Sequence, residues 1–243
     1  MALSFNGSGD FAEMKLDGVI NPQNTQFTIC AWVYNEELGT DAAREEVILT
    51  QKDKEGVGRM LLYLYPGEQA THYGSFLGGR PNTSSADAVK RGEWHHIAVT
   101  YNPADRSITY YVDGKVDATV YAPPFEKTLG DIRIGSHKTT RNYWHGKLDD
   151  LYIFRGILSP KEIQRLRAGK PLMFSNCFDQ RILYYLSYNK IPASQMPAGI
   201  SYLVSNSLLS HSLLDSNCHS NCSTYHRVVT HTQEAHHLNV CGN

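Results

Sequence analysis

Two stretches of this sequence bring together the side chains that a sugar site needs. Arg141-Asn142-Tyr143-Trp144-His145 places a guanidinium, an amide and two large rings within five residues. Tyr65-Pro66-Gly67-Glu68-Gln69-Ala70-Thr71-His72-Tyr73 has similar chemistry, with Arg80 and Asn82 just beyond it. An aromatic plate stacks on the apolar face of a pyranose, and a few fixed donors and acceptors orient it. Loop aromatics have fewer structural reasons to exist than strand aromatics. Both stretches are therefore carbohydrate-site candidates, and Trp32 and Trp94 are read as core.

Hydrolysis would need two carboxylates on one face at a defined separation. Asp149-Asp150, Glu45-Glu46 and Glu36-Glu37 are adjacent pairs, so on a strand their members point opposite ways. Asp53 and Glu55 have the right spacing but fall in a Lys/Gly turn. A lyase built on His and Tyr needs no fixed spacing, and His72 with Tyr73, or His145 with Tyr143, supplies those residue types. As ordinary strand-surface residues the same side chains need no activity at all.

The last third of the chain carries different chemistry. Four of the five cysteines (Cys177, Cys218, Cys222, Cys241) and six of the eleven histidines lie beyond Lys170, in sequence poor in charge and rich in Ser and Asn. Cys218-x3-Cys222-x3-His226-x4-His231 offers soft ligands suited to zinc, at spacings unlike the short-loop fingers. The alternatives are two disulfides in one of three connectivities, with Cys30 buried and free, or an extension without a specified core.

The elements that would position these groups are strands. In Phe27 to Tyr34 the odd residues form one apolar face and Trp32 and Tyr34 take the other. Val47 to Thr50 and Met60 to Tyr65 are apolar on both faces, as central, covered strands are. Trp94 to Tyr101 alternates again. Ser107 to Val112 and Lys115 to Tyr121 are joined by Asp113-Gly114, a strong hairpin signal. Asp131 to Gly135 and Lys147 to Phe154 complete a set of about ten short strands, the pattern of a sandwich or jelly roll. Only Ser159 to Ala168 reads as helix, with Ser159 as N-cap, Pro160 at N1 and Glu162 closing a capping box. Ala168-Gly169-Lys170-Pro171 then supplies a stop, dividing a domain over 1–168 from an extension over 169–243.

A formal net charge of -1 gives no field to attract nucleic acid or an anionic membrane. No apolar run approaches the roughly 18 residues that span a bilayer. Met1 to Phe5 shows neither a basic n-region nor an apolar h-region. Either the chain stays in the cell or Met1 stands where a leader has been dropped, and the second is favoured.

Taken in order, several segments resemble the laminin-G-like domains of the concanavalin A-like lectin/glucanase superfamily. They are Leu3 to Phe11, Phe27 to Val33, Gly92 to Tyr101, Tyr111 to Lys115, Ile132 to Gly135, and Gly146 to Arg155 leading into Leu158 to Ile163. The resemblance covers nearly 170 residues and leaves the tail out. It implies an all-β fold, a two-sheet antiparallel β-sandwich, and a role in binding carbohydrate or protein outside the cell. It also implies that an aromatic close before the glycine of the last strand can belong to the core. The Glu-x-Asp-x-Glu motif of the glucanase branch is not in this chain.

By the same resemblance, Asn6 and Asp10 in the first Gly-rich loop, with Asp149 and Asp150 on the returning strand, would hold a structural calcium ion. Against this, Asp149 or Asp150 would cap a turn or pair with Arg133 or Arg155. The expectation is a non-catalytic, lectin-like, calcium-stabilised module with a glycan or polysaccharide as partner. The alternatives are a polysaccharide lyase or glycoside hydrolase on the same sandwich, and an extracellular protein-interaction module.

Overall fold

The computed structural model describes residues 2–14, 21–36, 46–53, 58–66, 71–77, 80–83, 89–123, 129–138, 141–170, 172–174, 177–178, 182–186 and 228–230. Two antiparallel seven-stranded sheets account for most of it. The first contains β1 (Leu3–Asn6), β3 (Phe27–Asn35), β8 (Trp94–Asn102), β9 (Ser107–Val112), β10 (Lys115–Tyr121), β14 (His145–Arg155) and β17 (Ile182–Leu186). Their order is β1-β14-β3-β8-β9-β10, with β17 also pairing β14. The second contains β2 (Ala12–Met14), β4 (Glu46–Asp53), β5 (Gly58–Pro66), β6 (Thr71–Leu77), β7 (Arg80–Thr83), β11 (Leu129–Ile134) and β18 (Val228–Thr230). Its order is β18-β2-β11-β4-β5-β6-β7, which places the two doubly apolar strands, β4 and β5, in the interior of the sheet. Two small hairpins, β12 (Ser136–Lys138) with β13 (Arg141–Tyr143) and β15 (Met173–Phe174) with β16 (Cys177–Phe178), lie outside the main sheets.

The core fills the space between the sheets because a strand turns one parity of residues inward, except where a bulge, as between Val47 and Leu49 of β4, shifts it. From the first sheet come Ile29, Ala31, Val33, Ile97, Val99 and Tyr110; from the second come Ile48, Leu49, Leu62, Ile132 and Ile134. A bulge in β14 changes that parity: Leu148 is core before it, Leu151 and Ile153 after it. Asp150 sits in the bulge at φ 47°, and its N–H donates to Asp149 Oδ1 at 3.0 Å. A short acidic side chain tolerates that left-handed backbone, and the extra residue re-aims the strand.

As a result Tyr152 and Phe154 face outward, where the helix α1 (Pro160–Arg167) covers them. The helix starts as the sequence predicts, with the Ser159–Glu162 capping box formed in both directions. It buries Ile163 and Leu166 against Cys30, Ala98, Tyr111, Tyr152 and Phe154. Each such side chain contributes about 1.5–3 kcal/mol. Cys30 is free and fully buried, and burial pushes its thiol far above the ordinary range, so it is an inert core residue.

The sequence after 168 contributes β17 to the first sheet and β18 to the second. The Cys218, Cys222, His226, His231 and Cys241 positions lie outside the described residues, as do Gly67 to Ala70. No helix among the described residues is long and apolar enough to cross a membrane.

Candidate functional site

The Arg141 to His145 stretch divides between the core and the surface. Trp144 is 0% exposed and packs in the main core, so it is no stacking plate. Its backbone stitches two turns together, N–H to Gly135 O at 2.8 Å and O from the Gly7 N–H at 3.0 Å, and this draws the ring inward. Asn142, at φ 59°, and Tyr143 are half-buried at the β13 hairpin. Arg141 begins that strand, and its side chain lies outside the described residues. His145 opens β14 on the outer face of the first sheet.

The second stretch falls on β5 to β7. Tyr65 pairs with His72, Leu64 with Tyr73, and Leu77 with Arg80. The side chains of Tyr65, His72, Tyr73 and Arg80 are outside the described residues.

Strand register builds a different surface. Across the outer face of the first sheet, Ser4 pairs with Lys147, Lys147 with Tyr34, and Tyr34 with Trp94. Two residues further along, Asp149 pairs with Trp32 and Trp32 with His96. The next row, Cys30 and Ala98, lies beneath the helix. Cover therefore thins from one end of the sheet to the other. His96 is 1% exposed, Trp32 is half-buried, and Trp94 is 41% exposed. The sequence-based assignment of Trp94 to the core is thus corrected, and that of Trp32 in part. Trp94 has the parity of His96 and Ala98, opposite to the core residues Ile97 and Val99.

The open row is polar at one edge and aromatic at the other. Lys147 Nζ stands 5.0 Å from the centroid of the Tyr34 ring, and Tyr34 lies 5.6 Å from Trp94 at an interplanar angle of 50°. Glu36, just past β3, reaches His145 Nε2 at 3.4 Å and Lys147 Nζ at 3.8 Å. Together these residues offer ring faces and edges, an ammonium, a carboxylate and an imidazole side by side on rigid strands. Such a surface can hold a ring with one apolar face and a rim of hydroxyls. Tyr34, Glu36 and Lys147 are not among the sugar-site candidates read from the sequence; strand parity on β3 and β14 is the signal that points to them.

Beneath the end of the row a polar clasp fixes the two sheets to each other. Glu46 of the second sheet accepts from Asn35 Nδ2 at 2.5 Å, Arg91 NH1 at 3.0 Å and the His145 backbone N–H at 3.3 Å. Gly146 lets β14 pass β3 closely here: at φ 146°, a Cβ would fall 2.0 Å from Tyr34 O.

The proposed calcium set does not assemble. Asn6 pairs with His145, so Asp149 stands four residues further along, about 13 Å at the usual strand rise. Asn6 Oδ1 already accepts the N–H groups of Ser8, Gly9 and Asp10, and Asp10 Oδ2 accepts the Asn6 N–H. These oxygens hold a turn and Asp149 holds a bulge, so the four residues do not fit an ion that wants six to eight oxygens. Among the described residues no cluster of three or more His, Cys, Asp or Glu could hold a metal ion.

A laminin-G-like family model, described as the concanavalin A-like lectin/glucanases superfamily, matches residues 6–164. The mouse (Mus musculus) protein "Sushi, von Willebrand factor type A, EGF and pentraxin domain-containing protein 1" is 22% identical over 179 residues, 70% of this chain. The match spans only 5% of that relative's length. Among solved structures, the heptameric SAP-like pentraxin of Limulus polyphemus superposes with a TM-score of 0.54 at 14% identity, covering 68% of this chain and 80% of that one. A Bacteroides ovatus protein described as a "putative carbohydrate binding protein" superposes at 0.51 and 16% identity, covering 75% of this chain and 51% of that one. At these identities the superpositions speak for the fold, and the fold agrees with the family match over most of the chain. This chain belongs to the concanavalin A-like lectin/glucanase superfamily, in its laminin-G-like group.

Proposed function

We propose that this domain is a non-catalytic carbohydrate-binding module working outside the cell, and that the Lys147–Tyr34–Trp94 row receives the glycan. The observation that carries the reading is the open end of the first sheet. Three strands in register present the half-buried Tyr34 ring, the exposed Trp94 ring and an ammonium two rows beyond the Cys30–Ala98 row that the helix covers. A folded protein that leaves large rings uncovered beside fixed polar groups commonly does so for a ligand. Family membership supports the reading, and the fold is shared with a protein described as a "putative carbohydrate binding protein". Calcium enters the proposal only as a variable to test, since Asn6, Asp10, Asp149 and Asp150 do not converge.

A glycan array probed with the whole chain, with calcium and with chelator, tests it. Saturable binding to a defined glycan class is expected in both conditions, weakened about tenfold or more by Trp94→Ala. An empty array in both conditions would count against the reading. A protein partner recovered by pull-down and indifferent to competing sugars would favour an adhesion module instead. Release of unsaturated or reducing ends from polysaccharides would make the domain an enzyme.

A further inference from the structure

The opposite end of the first sheet is open as well. Thr28, Thr100, Thr109 and Thr119 pair in turn across β3, β8, β9 and β10 on the outer face. Cover thins along that row: Thr28 and Thr100 are buried, Thr109 is half-buried and Thr119 is exposed. The next row holds Asn102, Ser107 and Tyr121, paired on β8, β9 and β10. Their neighbours Tyr101, Ile108 and Val120 pack into the core, so strand parity turns these three outward. Tyr121 is 69% exposed, the barest large hydrophobic side chain among the described residues. Gln26, just before β3, continues the row by donating from Nε2 to Asn102 Oδ1 at 3.2 Å. Beyond it opens a cleft of ≈ 640 Å³, lined among others by Asn24, Gln26, Asn102 and Pro103. From Tyr121 to Gln26 the row crosses three inter-strand spacings, about 14 Å.

The groups around the bare ring are hydroxyls and amides. The Thr109 and Thr119 hydroxyls meet at 3.2 Å, and whichever donates, one hydroxyl hydrogen is left for a ligand. Asn102 Oδ1 accepts the Ala104 N–H at 3.2 Å, which fixes the amide's orientation. Asn102 Nδ2 is then a donor without a partner among the described residues. Charge is balanced nearby, since Asp105 and Arg106 follow one another in the turn from β8 to β9. Asp105 Oδ1 accepts the Ser107 N–H at 3.0 Å, and hydrogen bonds from Ser107 hold this carboxyl below its ordinary value. It stays an ionised acceptor. Arg155, on the wall of the cleft, is already engaged within the protein and lends no charge to the surface. A bare ring among hydroxyls, amides and balanced charges complements a neutral polyhydroxylated ring and not an ion.

We infer that this end of the first sheet binds a neutral oligosaccharide, with one pyranose stacked on Tyr121 and its neighbours reaching Thr119 and Asn102. The site is separate from the aromatic row, because Asn102 is eight residues from Trp94 on β8, about 26 Å. The site stands on its own ring, hydroxyls and amides, whereas the choice of a saccharide rests on the function proposed above.

The test is a two-dimensional ¹H–¹⁵N NMR titration of the whole chain with cellotetraose, maltotetraose and mannotetraose. At least one of them is expected to shift the Ser107 and Tyr121 backbone N–H and the Asn102 side-chain amide saturably. Tyr121→Ala, on an exposed side chain that does not endanger folding, should weaken the response at Ser107 and Asn102 about tenfold. Tyr121→Phe keeps the ring and should retain it. The Trp94 indole N–H reports the aromatic row in the same spectra, which separates failure of this site from failure of that one. No saturable shift at Ser107, Tyr121 or Asn102 with any of the tetrasaccharides would overturn the site. A response that Tyr121→Ala leaves intact, or that Tyr121→Phe loses equally, would overturn the stacking role. Sodium glucuronate moving the same signals at lower concentration would overturn the neutral class.

Discussion

The Asp113 carboxylate and the His95 imidazole meet at 2.9 Å, Oδ2 to Nδ1, and lock the β9–β10 turn onto β8. The Lys90 N–H points at His95 Nε2 at 3.2 Å, so Nε2 is the acceptor and Nδ1 carries the proton given to Asp113. The second carboxylate oxygen accepts the His96 N–H at 3.0 Å. An aspartate and a histidine in contact invite a catalytic reading, but here both are used up in holding a hairpin.

Asp113→Ala should therefore destabilise the domain without touching the glycan surface. Two donors lose their acceptor, at a cost of about 1–3 kcal/mol, to be read from urea unfolding at pH 7. Burial pushes this carboxyl up, but the His96 N–H and the His95 ring outweigh it and hold the group below its ordinary value. A depressed carboxyl contributes stability above its unfolded value, near 3.8, and loses it as pH falls through the lower folded value. The wild type and Asp113→Ala should differ most at neutral pH and converge in strong acid.

His96 sets a second, less acidic window. Burial pushes it from 6.5 down to about 4, with Asp113 and Asp150 opposing and Arg167 assisting. The folded state keeps this ring neutral while the unfolded chain takes up a proton, so stability is complete above about pH 6.5 and falls as pH drops towards about 4. The loss amounts to about 3 kcal/mol. Thermal unfolding of wild type and His96→Phe from pH 7 to pH 4 checks this. The variant should show a flatter profile, since phenylalanine keeps the edge contact with Trp32 and cannot titrate.

Gly146→Ala should abolish the soluble fold. A Cβ placed 2.0 Å from the Tyr34 carbonyl has no flexible neighbour to displace, and φ 146° excludes side chains in its own right. Loss of the clasp around Glu46 would follow. Expression in the insoluble fraction, or a fall in stability of more than about 4 kcal/mol, is the expected result.

Two tryptophans should separate stability from binding. Trp144→Ala empties a fully buried site and should cost about 3–5 kcal/mol in chemical denaturation. Trp94→Ala removes an exposed ring and should change stability by less than about 1 kcal/mol while weakening glycan binding. If Trp94→Ala binds glycan like the wild type, the aromatic row is not the site.

Much of the frame could be read locally. Period-two alternation in Phe27 to Tyr34 and Trp94 to Tyr101 announces strands with one buried face, and Asp113-Gly114 and Ser159-x-x-Glu162 announce a turn and a helix start. Each signal arises from a few neighbouring residues, so it survives without tertiary context. The aromatic row was less legible. Alternation alone sets Tyr34 off the apolar face, whereas Trp94, like any tryptophan in a strand, reads as core unless the cover over that face is known.

What the sequence determined by itself is the parity of each strand and the chemistry of each side chain. What only the tertiary structure decided is how far the helix reaches across the first sheet, which turns two rows of one face into core and surface. It also decided that Asp149 and Asp150 serve a bulge and that Trp144 points inward. Register and cover depend on partners scores of residues away, and no local pattern records them.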